Sequence, residues 1–378
     1  MSIVSVTTCR DYSQSEVSEA FTRVLSPFGA PDWLKPGVKI VIKANLVSMM
    51  KPESAATTHP ALLVELCKRL REAGAEVIVG DSPGGLYNAA YVNAIYSVTG
   101  VKAVTETGAD VNHDFGHTHA ANPNGLVMKE LDYTSYLDWA DVIINFCKLK
   151  THGMMGLSAS VKNMFGCIPG TVKPEYHYRY NEHRTFANML IDINERFKPR
   201  LCIVDAVDGM EGNGPTAGKP RHIGALLASD SPYACDVVCA QIIGLNPDEI
   251  ETISAARERG LEPAYDVFGT PEQFYISDYD LVRNRKEMSF NHELQGITGK
   301  LFGKIVKSCV CPVPDVKKAD CIGCEKCFNI CPAKAITMKD RKPVIDRSKC
   351  IRCFCCQEFC PKGAMKVKRP LIARLLNK

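Results

Sequence analysis

Between residues 321 and 361 the chain carries two runs, "CIGCEKCFNICP" and "CIRCFCCQEFCP", each with the spacing C-x2-C-x2-C-x3-C-P. Three thiols set two residues apart can wrap one face of a cubane iron–sulfur cluster, while the cysteine before proline points away and can reach a neighbouring cluster. The runs are offset by 29 residues, and the same offset pairs Ile322 with Ile351, Ala335 with Ala364 and Ile336 with Met365, so this is an internal repeat. Eleven of the 18 cysteines lie between Cys309 and Cys360. With no secretory signal in "MSIVSVTTCRDYSQSE", that crowding points to metal rather than disulfides, and to a cytoplasmic protein. Structural zinc is the competing use, but it prefers four ligands arranged as two separated pairs. Cys355, inside the second run, and the upstream Cys309 and Cys311 read as free thiols or as ligands of a further site.

A second group with chemical potential is "KLKTHGMMGLSASVKNMFG", residues 148–166. If 147–150 is extended, Lys148 and Lys150 project to one face and Leu149 to the other. His152 follows, Gly153 and Gly156 permit close backbone approach to a ligand, and "SASVKNMF" predicts a first helical turn capped by Ser158 or Ser160, carrying Lys162. Such a group favours an anion: a carboxylate, phosphate or nucleotide. The bland alternative is a set of solvated loop charges. His113, His117 and His119 in "NHDFGHTH" read as polar loop residues, and His177 and His183 as belonging either to a substrate loop or to the surface.

Apolar runs at 38–47, 75–80, 139–150, 200–215 and 222–229 predict strands, and each leads into polar or glycine-rich sequence at or near its C-terminal end. Between the first two, "PALLVELCKRLREA" places Leu63, Leu66, Leu70 and Ala73 at helical spacing behind Pro60, which completes a βαβ unit. The expected architecture is an α/β domain over 1–300 with a mostly parallel, doubly wound sheet. In such sheets ligands sit beyond the carboxyl ends of the strands. Those ends supply Asn45, Asp81, Ser82, Lys148, Lys150, His152, Asp205 and Asp208. Neither the dinucleotide-binding nor the Walker glycine pattern occurs.

The 378 residues include 46 basic and 42 acidic ones, a net charge of +4 that is too small to draw nucleic acid or a membrane by bulk electrostatics. No run of about 18 apolar residues suggests a membrane span. Residues 301–314 read as a linker, and the tail 369–378 as a basic helix docking its Leu and Ile face.

The cysteine runs resemble a bacterial two-cluster [4Fe–4S] ferredoxin over roughly residues 315–368, a small α+β fold. That resemblance implies that Cys321, Cys324, Cys327 and Cys360 hold one cluster, and Cys350, Cys353, Cys356 and Cys331 the other. Upstream, "KANLV", "TTHP", "GDSPGG", the long block around His152 and "DAVDGMEGNGP" resemble the domain of unknown function 362, which implies an α/β domain with an appended iron–sulfur module. A local stretch, "HGMMGLSASVKNMFGCIPG", is similar to one in the nickel-dependent lactate racemase family, and on matching positions points to His152 in proton or hydride exchange and to Lys162 as carrier of a nickel-containing cofactor. The paired glycines usual before that lysine are Ser160 and Val161 here.

The function expected is an iron–sulfur oxidoreductase. It takes single electrons from a soluble redox partner to a small anionic substrate or a second cofactor, with Lys148, Lys150 and Lys162 neutralising the anion, His152 shuttling a proton, and Asp81 or Asp208 orienting it. The alternatives are a non-catalytic electron-transfer or assembly module, and a non-redox isomerase or racemase whose clusters are structural.

Overall fold

The computed structural model describes residues 1–281 and 313–368. Among the described residues up to 281, eleven strands occur: β1 (Ser2–Thr8), β2 (Lys39–Lys43), β3 (Glu76–Gly80), β4 (Asp110–Val111), β5 (His117–Ala121), β6 (Glu130–Thr134), β7 (Val142–His152), β8 (Gly156–Ser158), β9 (Leu201–Glu211), β10 (Lys219–Ser229) and β11 (Tyr265–Phe268). One sheet has the order β11-β1-β10-β9-β7-β2-β3-β4, with β8 attached to β7, while β5 and β6 form a separate hairpin. The centre, from β9 to β4, is all parallel. Antiparallel pairings join β10 to its two neighbours and β8 to β7.

Period-two alternation explains why both faces are covered. Ile40, Ile42 and Ile144 turn to a core shared with the helices Gln14–Leu25 and Pro60–Glu72, whereas Val41 and Ile143 turn to one shared with the helix His183–Phe197. The helix Pro60–Glu72 starts as its sequence predicts, with Pro60 in the first turn and His59 Nδ1 accepting from Ala61 N at 3.2 Å. The chain runs from β2 outward through β3 to β4, while β7 and β9 lie on the other side of β2. The β2–β7 junction is therefore the topological switch point, where a crevice opens beyond the strand ends.

The small C-terminal domain keeps the 29-residue repeat in its backbone. Strand β12 (Val313–Val316) pairs with β15 (Met365–Lys368), and β13 (Ile336–Lys339) with β14 (Lys342–Ile345). Short helices occupy the equivalent stretches Lys326–Asn329 and Cys355–Glu358. Left-handed residues recur in register: Gly323 with Arg352, Glu325 with Phe354, and Lys334 with Gly363. This domain shares a core with the sheet domain, since Phe354 and Val367 pack in the same cluster as Met154, Phe165 and Phe186.

Several expectations change. Strands β1 and β11 and the hairpin β5–β6 were not foreseen, and His117 and His119 lie on β5 rather than in a loop. Neither Ser158 nor Ser160 caps the helix Ser160–Asn163; Asp236 accepts from Ser160 N at 2.6 Å and Val161 N at 3.2 Å instead. The assigned linker 301–314, but for its last two residues, lies outside the described residues, as do Cys309, Cys311 and the tail.

Candidate functional site

At the switch point a cavity of about 580 Å³ opens between the strand ends and the C-terminal domain. Lys43 and Asn45 reach it from the end of β2, Asp81 and Ser82 from the end of β3, and Lys150 and His152 from β7. Lys162 and Asn163 come from the short helix after β8, and Lys173 and His177 from the helix Lys173–Arg179. The far wall belongs to the C-terminal domain and includes Lys326, Glu358, Phe359 and Pro361.

Five lysines, Lys326 among them, against two carboxylates make this a cationic chamber, and an amide network fixes it. Asn163 Oδ1 accepts from Asn45 Nδ2 at 2.8 Å and Lys43 Nζ at 3.3 Å, while Asn163 Nδ2 donates to Asn145 Oδ1 at 2.7 Å. Lys43 forms an ion pair with Asp81 at 2.9 Å, and Asp81 also accepts from Leu46 N at 2.8 Å. Lys150 has only neutral acceptors, Asn45 Oδ1 at 2.6 Å and Ala56 O at 2.7 Å. Burial, then the positive charges of Lys162 and Lys148, bring its pKa down to about 7. Lys173 donates to Ser82 O, and burial lowers its pKa to about 8. Glycine is required at 166, because a Cβ there would collide with Asp81 and Lys43.

His152 is held as one tautomer. Its Nδ1 accepts from Met154 N and Met155 N, both at 3.1 Å, so the ring proton sits on Nε2. Burial, then the charge of Lys162, pushes its pKa down and keeps it neutral. Nε2 lies 3.0 Å from Glu358 Oε1, a close approach rather than a well-directed hydrogen bond. Burial alone would raise the Glu358 pKa, but the close approach of His152 and the positive charge of Lys162 outweigh it and hold the carboxyl below the usual carboxylate range. His177 stacks on Phe186 with ring centroids 4.6 Å apart, and burial lowers its pKa to about 3.

Other expected site residues lie elsewhere. Lys148 shares a strand face with Lys150 but turns to Asp205 at 2.8 Å and Tyr12 Oη at 2.9 Å, away from the cavity. Asp208 meets His222 Nδ1 at 2.8 Å, in a pair open to solvent. It is displaced because β9 bulges: Lys148 is opposite Asp205, whereas Lys150 is opposite Met210. Gly153 admits the C-terminal domain rather than a ligand, since a Cβ there would sit 3.1 Å from Gln357 Oε1. Gly156, with φ +75°, makes the turn into β8. His113 and His119 bind neighbouring carboxylates at 3.3 and 3.1 Å on the exposed surface. Sequence reasoning missed Lys43, Lys173 and Glu358. Only Lys43 had a local signal, being two residues from Asn45 on the same strand face.

In the C-terminal domain the cysteines divide into two rings. Cys321, Cys324, Cys327 and Cys360 line one small cavity; Cys331, Cys350, Cys353 and Cys356 line another, with Cys355 beside them. Ala364 N donates to Cys360 Sγ at 3.1 Å and Ala335 N to Cys331 Sγ at 3.3 Å, matching bonds in the two repeats that would favour thiolate ligands. Among the described residues no three such side chains converge on a single-ion site. Thiols spread around a cavity suit a cubane better than a tetrahedral zinc ion.

A profile described as "Domain of unknown function (DUF362)" matches residues 40–241, more than half of the chain. The chain belongs to the DUF362 family. A second profile, the 4Fe-4S dicluster domain, matches residues 320–364, so the C-terminal domain of this family member is an iron–sulfur domain. A thylakoid-associated protein of Synechocystis sp. is 30% identical over 268 residues, covering 69% of this chain and 80% of its own. Among solved structures, the lactate racemase apoprotein from Thermoanaerobacterium thermosaccharolyticum is similar at 13% identity and a TM-score of 0.37, covering 62% of this chain and 56% of that one. A Thermotoga maritima protein from structural genomics gives 11% identity and a TM-score of 0.35, covering 56% of this chain and 54% of that one. The match thus spans just over half the length of either solved chain. Among the described residues no helix is long and apolar enough to cross a membrane.

Proposed function

We propose that this DUF362 protein is an iron–sulfur oxidoreductase that exchanges single electrons with a small anionic substrate, or a second cofactor, held in the cationic chamber. In this reading Cys321, Cys324, Cys327 and Cys360 ligate one [4Fe–4S] cluster, and Cys331, Cys350, Cys353 and Cys356 the other. When bound, the clusters supply one-electron oxidation and reduction. The observation that carries the reading is a shared wall: Lys326 and Pro361 line both the chamber and the first cysteine ring, and Phe359 and Pro361 flank Cys360. A ligand in the chamber is thus separated from the cluster position by little more than side chains.

The protein's own groups divide the remaining work. Lys43, Lys150, Lys162 and Lys173 offset the anion's charge. His152 offers a fixed Nε2–H donor, and Glu358 rather than Asp81 or Asp208 stands beside it to orient it. Asp81 holds Lys43 in place. Thiols retained for cluster ligation suit the reducing cytoplasm, where we place the reaction, with a soluble protein as the other redox partner.

The test is stopped-flow reoxidation of dithionite-reduced, anaerobically loaded protein, followed through cluster absorbance, with a panel of small carboxylates, oxo acids and phosphates. One class of anion is expected to accelerate reoxidation saturably, and Lys150→Met to weaken its apparent affinity. Reoxidation by a protein acceptor alone, indifferent to every anion and to Lys150→Met, would make the molecule an electron carrier instead.

A further inference from the structure

Of the five lysines that line the chamber, Lys326 is exposed on the C-terminal domain, and the chain supplies oxygen partners to three of the other four. Lys43 holds Asp81, Ala44 O and Asn163, Lys150 donates to Asn45 and Ala56, and Lys173 donates to Ser82. Lys162 differs. Among the described residues its amino group has neither an oxygen acceptor nor an ion pair, and it faces the rings of Phe165 at 4.8 Å and Phe186 at 5.8 Å. Ring faces attract the ammonium form. Burial first, and then the charge of Lys43, works against the ammonium form and outweighs the pull of Glu358, so the pKa of Lys162 moves down from the ordinary lysine value. The result is an amino group on a cavity wall with no oxygen partner among the described residues, more readily deprotonated than an ordinary lysine, beside other cations that can hold a carboxylate.

We propose that Lys162 is a nucleophile that captures a small anionic carbonyl compound, of the 2-oxo acid type, as an imine. The Nζ lone pair forms the new C–N bond, and the carbonyl π pair moves to oxygen, which takes up a proton. The carbinolamine then loses that hydroxyl, protonated, as water; nitrogen gives up one proton on forming the carbinolamine and a second from the iminium, so amine plus carbonyl yields imine plus water with no change of oxidation state. Lys150, populated in both protonation states near neutrality, is the ammonium on the same wall able to protonate the departing hydroxyl. Lys43 and Lys173 face the carboxylate. This inference rests on the chamber being an anion site, and it is independent of electron transfer, because the adduct forms whatever the state of the clusters.

The experiment uses the full chain with its clusters in place. It is incubated anaerobically with glyoxylate, pyruvate or 2-oxoglutarate and sodium cyanoborohydride, then digested and mapped by mass spectrometry. The expected result is a secondary-amine adduct on Lys162 with at least one of these acids, exceeding other lysines by on the order of tenfold. Lys162→Arg, which keeps the positive charge, should retain the cluster absorbance and lose the adduct, while Asp208→Asn should label like the parent. Absence of an adduct with all three acids would overturn the proposal, as would labelling spread evenly over lysines and unchanged in Lys162→Arg. If the adduct forms but no anion reoxidises the clusters, imine capture stands and the oxidoreductase reading falls.

Discussion

Lys148 and Lys150 sit two residues apart on β7, on the same face, both completely buried, and they do opposite things. Lys148 meets the carboxylate of Asp205, which also accepts from Tyr12 Oη at 3.1 Å and His59 N at 2.9 Å, while Tyr12 and His59 stack with centroids 3.5 Å apart. That cation is compensated in place and its surroundings are closed. Lys150 meets only an amide oxygen and a peptide carbonyl, and opens on a cavity large enough for a ligand. Period two sets the face a strand residue takes, but the partner brought by the neighbouring strand decides whether its charge is spent on folding or left for a ligand.

The contrast can be broken most forcefully at Asp205. Asp205→Ala leaves Lys148 buried without its counterion, and losing one member of such a pair costs about 3–5 kcal/mol. Denaturant titration of the loaded protein should register that loss, and a change below about 1 kcal/mol would mean that Lys148 finds another acceptor.

Lys150→Met removes a cation with only neutral partners, so its larger effect should fall on binding. Anion affinity should drop by about ten- to a hundredfold, the worth of one charged hydrogen bond. The pH dependence sharpens the point. The folded pKa values of Lys150 and Lys173, about 7 and about 8, lie below the ordinary 10.5, so both lose charge as pH rises past neutrality. Affinity measured by titration calorimetry should therefore decline from about pH 6 to about pH 9. Stability should move the other way, rising with pH above about 7, because the unfolded chain still binds those protons up to the ordinary lysine pKa. A flat affinity profile would mean that neither Lys150 nor Lys173 carries the binding.

The smallest effect belongs to Asp208→Asn. Its pair with His222 is solvent-exposed and worth about 0–1 kcal/mol. Reoxidation kinetics and denaturation midpoint should both stay at the parent values, and a loss of turnover would return Asp208 to the site.

The sequence made legible what depends on local pattern. Apolar runs located β2, β3, β7, β9 and β10, and the strand-end rule brought Asn45, Asp81, Ser82, Lys150 and His152 to one place. Strand β1 escaped because its register comes from β10, more than two hundred residues away. The hairpin β5–β6 escaped because β5 alternates only between exposed and half-buried residues, with no apolar period to read. Asp208 misled because a bulge is invisible in a strand pattern. Glu358 had no signal near His152, since only folding brings the second cysteine run against β7. The cysteine repeat was the most transparent feature, because cluster geometry imposes its spacing directly on the chain.

These regions also meet where no side chain could intervene. A Cβ at Gly84, in the loop after β3, would come within 2.9 Å of Phe359 Cζ, next to Cys360. A segment of the iron–sulfur domain is therefore also the roof over the lysines. In the proposed reading, oxidative loss of the clusters would slacken this lid and expose the chamber to bulk water, so air would cost the molecule its ligand as well as its electrons.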